Sequence, residues 1–187
     1  MANFKHSMRR WCRRKAKEED GTATIPFVIF LPFFLILMIS SLDMGLLMIR
    51  HVMLERGLDM AVRGLRLGYF DGISHHNFKR IVCNGAGLIP NCMNVVAIEL
   101  RAIDTTTWVP LSTGATCIDR ADTTSDINAL TTFQTGGGGQ VMLIRACVKF
   151  DPMFPMTGLG FHLPKDNTGA YSLVAATAFV NEPKLGS

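Results

Sequence analysis

The sequence predicts an α+β protein: a long N-terminal transmembrane helix extending into an amphipathic helix, followed by a small antiparallel-sheet domain outside the membrane. Three observations carry this. Residues Ile25 to Ile49 form a run of twenty-five with one charge, Asp43. The next stretch, His51 to Leu67, keeps apolar side chains at roughly helical spacing. Beyond Gly68 the composition turns to Gly, Thr, Asn and Asp broken by short apolar runs. The 187 residues divide accordingly into a basic leader (1–21), a span (22–50), a helical extension (51–68) and an exported domain (69–187).

The leader comes first. Residues 1–20 carry seven basic side chains against three acidic ones, a net of +4 that equals the formal charge of the whole chain. The remainder is balanced, which argues against a nucleic-acid partner, whose binding domain would carry its positive field on the folded part. As a helix the apolar run is about 37 Å long, enough to cross a hydrocarbon core of about 30 Å. Pro26 falls in the first turn, where a missing N–H costs little, whereas Pro32 lies deeper and should kink the helix or be relieved by neighbouring helices. Three basic residues follow the run closely, Arg50, Arg56 and Arg63, against seven before it, so the N-terminus is expected on the cytoplasmic side. The run exceeds an ordinary signal h-region and no A-x-A site follows it, so a retained single-pass anchor is expected. Asp43, about 9 Å from the outer end of the run, reads as an interfacial carboxylate or one paired with a neighbouring subunit.

In the extension, Val52/Met53, Leu58, Ala61/Val62 and Leu65 recur at helical spacing, Asp59 faces Arg63 at i,i+4, and Gly68 is the expected stop. Asn77–Val82 reads as a short helix. Val95–Ile103, Val141–Phe150 and Ser172–Val180 read as strands, the first with Val96, Ile98, Leu100 and Ala102 on one face and Glu99 and Arg101 on the other. The Gly136–Gly139 run marks a hairpin approach to the second strand. The order of the strands does not follow from the sequence.

Of five cysteines, Cys12 falls in the leader, and Cys83, Cys92, Cys117 and Cys147 fall on the exported side, where disulfides persist. Four cysteines permit three connectivities. Closing the short NGAGLIPN loop between Cys83 and Cys92 is cheap in chain entropy, and that choice leaves Cys117 with Cys147. A zinc site on His75, His76, Cys83 and Cys92 fits no standard ligand spacing. There is no G-x-S-x-G, H-E-x-x-H or Walker sequence, and neither the glycine run nor the lone His162 makes a catalytic arrangement. The chain reads as a structural protein with no enzyme activity, cofactor or metal.

Glu18 to Gly68 resembles the TadE/TadG-like proteins, minor pilins (pseudopilins) of the bacterial tight-adherence or Flp pilus. The shared features are a basic tail, Gly21, the four small or apolar residues Thr22, Ala23, Thr24 and Ile25, then Phe27 and, in register, Pro32 at the head of the span. Downstream, Met53-Leu54-Glu55-Arg56 and the segment Arg63 to Gly68 are similar to the amphipathic helix of such proteins. The resemblance implies cleavage between Gly21 and Thr22 by a prepilin peptidase. It also implies helix packing through Pro26, Phe27, Pro32 and Asp43, and residence in the bacterial inner membrane with a periplasmic domain. The implied partners are membrane lipid, other pilus or secretion components and a pseudopilin hetero-oligomer. Where the family carries glutamate five residues after the cut, this chain has Pro26. That removes the carboxylate that would pair with a neighbour's new amino group, and leaves a role at the base or tip, or as a membrane-resident assembly factor. The competing expectation is a signal-anchored periplasmic binding or sensing domain unrelated to pili.

Overall fold

A computed structural model describes residues 24–70, 72–107, 114–118, 131–155 and 162–182. Helix α1 covers Thr24–Arg66, α2 His75–Ala86 and α3 Cys92–Val95; strands β1 (Val96–Ala102), β2 (Val141–Phe150) and β3 (Tyr171–Val180) follow. The expected span and its helical extension are a single element of 43 residues that includes Pro32 without a break. It stops where Gly68 directs. Gly68 takes φ +74°, its N–H bonds Leu65 O, and Tyr69 N–H bonds Gly64 O, the paired bonds of a Schellman C-cap.

The second helix is longer than Asn77–Val82 suggests, because Ser74 caps it, its hydroxyl accepting from the Asn77 N–H. Phe78, Val82 and Ala86 form its buried stripe. That stripe meets α1 along Leu54, Gly57, Leu58, Ala61 and Val62. The expected stripe of Leu58, Ala61, Val62 and Leu65 faces the core, and its N-terminal edge is extended by Leu54 in place of Val52. Leu54 is fully buried, whereas Val52 is exposed, because the adjoining glycines let α2 approach on that side. The expected Asp59–Arg63 pair gives way to contacts at the two ends of the packed segment, His51 with Glu55 at 3.8 Å and Arg66 with Glu182 at 3.5 Å.

The sheet is antiparallel in the order β1-β2-β3. Its register places Val96, Ile98 and Leu100 beside Val148, Ala146 and Ile144, and these beside Leu173, Ala175 and Thr177. This apolar face packs with α1 and α2 into one core. The outer side of β1 is occupied by Thr132–Gln134, with Leu100 N–H donating to Thr132 O and Gln134 N–H to Leu100 O. On the other side, β3 lies along α1: His51 Nε2 is 3.3 Å from Val174 O, and Arg66 pairs with Glu182 further along both elements. Strand β3 thus rises in the same direction as α1. Phe150 and Tyr171 stand at the end nearest the apolar run, and Ala102, Val141 and Val180 at the far end.

The polar face of β1 is not solvated as its alternation suggests. Glu99 is 2% exposed. One carboxylate oxygen lies 2.8 Å from Arg145 Nη2 and the other contacts Arg101, and two residues along β2 from Arg145 the Cys117–Cys147 bridge attaches the 114–118 segment to the sheet. A short alternating strand cannot reveal a charge pair supplied by the neighbouring strand.

Candidate functional site

The first half of α1 is bare. None of its most apolar eighteen residues is buried, and Ile25, Phe27, Ile29, Phe30, Phe33 and Phe34 are all more than half exposed. A helix this long and apolar, at the N-terminal end, meets the length and composition needed to cross a membrane. Pro26, Phe27 and Pro32 all lie on this segment. Gly21, Thr22 and Cys12 fall outside the described residues.

Asp43 sits where the bare half meets the head. It is half-buried and lines an open groove with Leu46, Leu47, Arg50, Pro152 and Met153. Leu163 and Tyr171 close the same groove from the last loop and strand. The Arg50 guanidinium lies 4.7 Å from the centre of the Phe150 ring, a cation–π contact, and Phe150 in turn packs on Tyr171 at 6.2 Å. The loop behind this end is held by Asp166, which accepts from Lys149 Nζ at 2.6 Å and from the hydroxyl and N–H of Thr168. The Lys149 ammonium, with the Thr168 hydroxyl, holds the Asp166 carboxyl far below the usual carboxylate range.

The four cysteines beyond the long helix form two bridges, Cys83–Cys92 and Cys117–Cys147, with Cα separations of 5.6 and 5.2 Å. This takes Cys83 and Cys92 out of any metal site, and His75 is stacked on Phe133 with ring centres 4.9 Å apart. Among the described residues no group of three or more His, Cys, Asp or Glu is placed to hold a metal ion. The glycine run is tied down as a turn: Gly137 N–H donates to Gln140 Oε1, Gly139 N–H to Asn181 O, and Asn181 Nδ2 to Thr135 O. Two of the run's four amides are thereby used within the turn.

The groove at the junction was not singled out by sequence reasoning, although Asp151-Pro152-Met153-Phe154-Pro155 carries a signal. Two large apolar residues are bracketed by prolines in a loop, and Met153 and Phe154 are 61% and 44% exposed. Two buried charges were also unforeseen. Glu99 is 2% exposed between Arg145 and Arg101, and Lys79, on the buried side of α2, is 2% exposed and partnered.

The architecture defines a class: a small, doubly disulfide-bridged α+β head carried on a bare apolar helix that continues into its core. No family model, no curated protein and no solved structure matches the chain, so the class rests on its own geometry.

Proposed function

We propose that the chain is a minor pilin-like (TadE/TadG-like) component of tight-adherence pilus assembly at the bacterial inner membrane, acting by helix packing and subunit interaction rather than by catalysis. The observation that supports this best is the division of one unbroken helix. Its first half is apolar on all sides and uncovered, while its second half is the central strut of the head. A surface of that kind must be covered by lipid or by other helices. Because the strut is continuous, packing of the bare half fixes the position of the head. In this reading the basic leader stays on the cytoplasmic side and the head, with its two bridges, is exported to an oxidising compartment.

Removal of residues 1–21 would release the leader's charge and free the apolar half to move among other helices. The test is the intact mass and N-terminal sequence of the protein isolated from membranes with and without a prepilin peptidase. An N-terminus at Thr22 that depends on the peptidase is expected. A chain that keeps Met1 or Ala2 in the presence of the peptidase refutes the pilin-like reading and favours a signal-anchored binding protein.

A further inference from the structure

The geometry points to a second membrane contact: we propose that the Pro152–Pro155 turn inserts Met153 and Phe154 into the leaflet on the head's side of the bilayer. The inference rests on reading the apolar half of α1 as a membrane span.

Depth along the helix carries it. A hydrocarbon core of about 30 Å takes up about twenty helical residues. Measured from Ile25 it ends at Met44; measured back from Ile49 it ends at that residue, so the boundary falls within this short interval wherever the apolar run sits. Pro152 and Met153 share a groove with Asp43, Leu46, Leu47 and Arg50, which span that same interval. The turn is therefore at the level of the boundary, not above it. At this level Met153 is 61% exposed and Phe154 44%, on a turn whose prolines fix φ and remove two backbone N–H groups that lipid could not satisfy.

The surroundings fit an interface. Arg50, stacked on the buried Phe150 beside the turn, places its cation at headgroup height, where a phosphate can meet it while the stem stays apolar. The head is thus held to the bilayer at two points, the helix and the turn. Two anchors on one rigid head restrict its tilt, which a single helix leaves free.

The test uses the full-length chain in liposomes of phosphatidylethanolamine and phosphatidylglycerol. Cys12 is the only cysteine outside the two bridges. In a Cys12→Ser background, nitroxide labels are placed at Met153→Cys, Phe154→Cys, Leu35→Cys in the span and Thr106→Cys at the far end of the sheet. Collision rates with oxygen and with a neutral nickel chelate report depth. The expected result is an oxygen-to-nickel ratio at Met153 and Phe154 several-fold above that at Thr106 and below that at Leu35. Ratios at Met153 and Phe154 equal to that at Thr106, with Leu35 deep in lipid, overturn the insertion and leave the span intact. A Leu35 label as accessible to nickel as Thr106 overturns the span and the insertion together.

Discussion

Gly57 is the point at which α1 and α2 touch backbone to backbone, and Gly57→Ala is the perturbation that tests whether the head is built on this crossing. A methyl group on Gly57 would stand 2.5 Å from Val82 O, 2.9 Å from Ala86 N and 3.1 Å from Ala86 Cβ. From the other side, a methyl on Gly85 would stand 2.8 Å from the Gly57 Cα. Two of the atoms a Gly57 methyl would meet are backbone, so no rotamer change relieves the clash and the helices must separate. Overpacking of this kind costs about 1–3 kcal/mol, and rigid obstacles place it near the upper end. Alanine returns about 1 kcal/mol through its higher helix propensity. The net loss is about 2 kcal/mol, which for a chain of this size lowers the melting midpoint by about 4–8 °C. Thermal unfolding of the full chain in detergent micelles, followed by near-ultraviolet circular dichroism, isolates the head from the helical signal of the span. Gly45→Ala is the control, since nothing lies within 4 Å of a methyl there. A Gly57→Ala protein that melts at or above the wild-type midpoint refutes the close crossing.

Three further outcomes are expected. Loss of the Cys117–Cys147 bridge, which closes a separation of 30 residues, should destabilise the head by about 3–4 kcal/mol, against about 2–3 kcal/mol for Cys83–Cys92 with a separation of 9. Urea midpoints of the two double Cys→Ser variants check the order, and a reversed order contradicts the loop assignment. Glu99→Gln leaves Arg145 and Arg101 without their carboxylate beneath a largely buried surface, and should cost about 3 kcal/mol in the same urea titration; a loss below about 0.5 kcal/mol, the size of an ordinary surface change, would mean that Glu99 is solvated. Asp104, bonded by the Thr106 and Thr107 hydroxyls, and Asp166, bonded by Lys149 and Thr168, are both held below the ordinary carboxylate value. Their contribution to stability is therefore full above about pH 4 and is lost as pH falls through their lower folded values. The Asp104→Asn, Asp166→Asn protein should lose less stability than wild type between pH 5 and about pH 2; equal losses would show that neither carboxylate is tied in the folded head.

Much of the fold is legible in local chemistry. The long apolar helix, its continuation, the Gly68 stop and the three strands follow from apolar period and turn residues, which act over a few neighbours. Strand boundaries match within a residue at each end, because β-branched runs here are bounded by Gly, Pro and Asp. The pairing Cys83–Cys92 also follows, since a short loop closes with little entropy. The candidate site is less legible. Asp43 is visible as the lone charge in an apolar run, but its groove is made by Pro152, Met153, Leu163 and Tyr171, more than a hundred residues away.

The sequence by itself determined that this chain carries one membrane-length helix, a basic leader and a small α+β head with four cysteines in it. Those properties are sums over neighbouring residues. Only the tertiary structure decided that Leu54 rather than Val52 completes the buried stripe of α1, because Gly57 and Gly85 allow a close approach of α2 on that side. It also decided that Glu99 is buried with Arg145 and Arg101 about it, and that β3 rises along α1 so that the sheet's Phe150–Tyr171 end meets the C-terminal end of the apolar run. Such choices depend on contacts between distant segments, whose free energies appear only when the chain closes on itself.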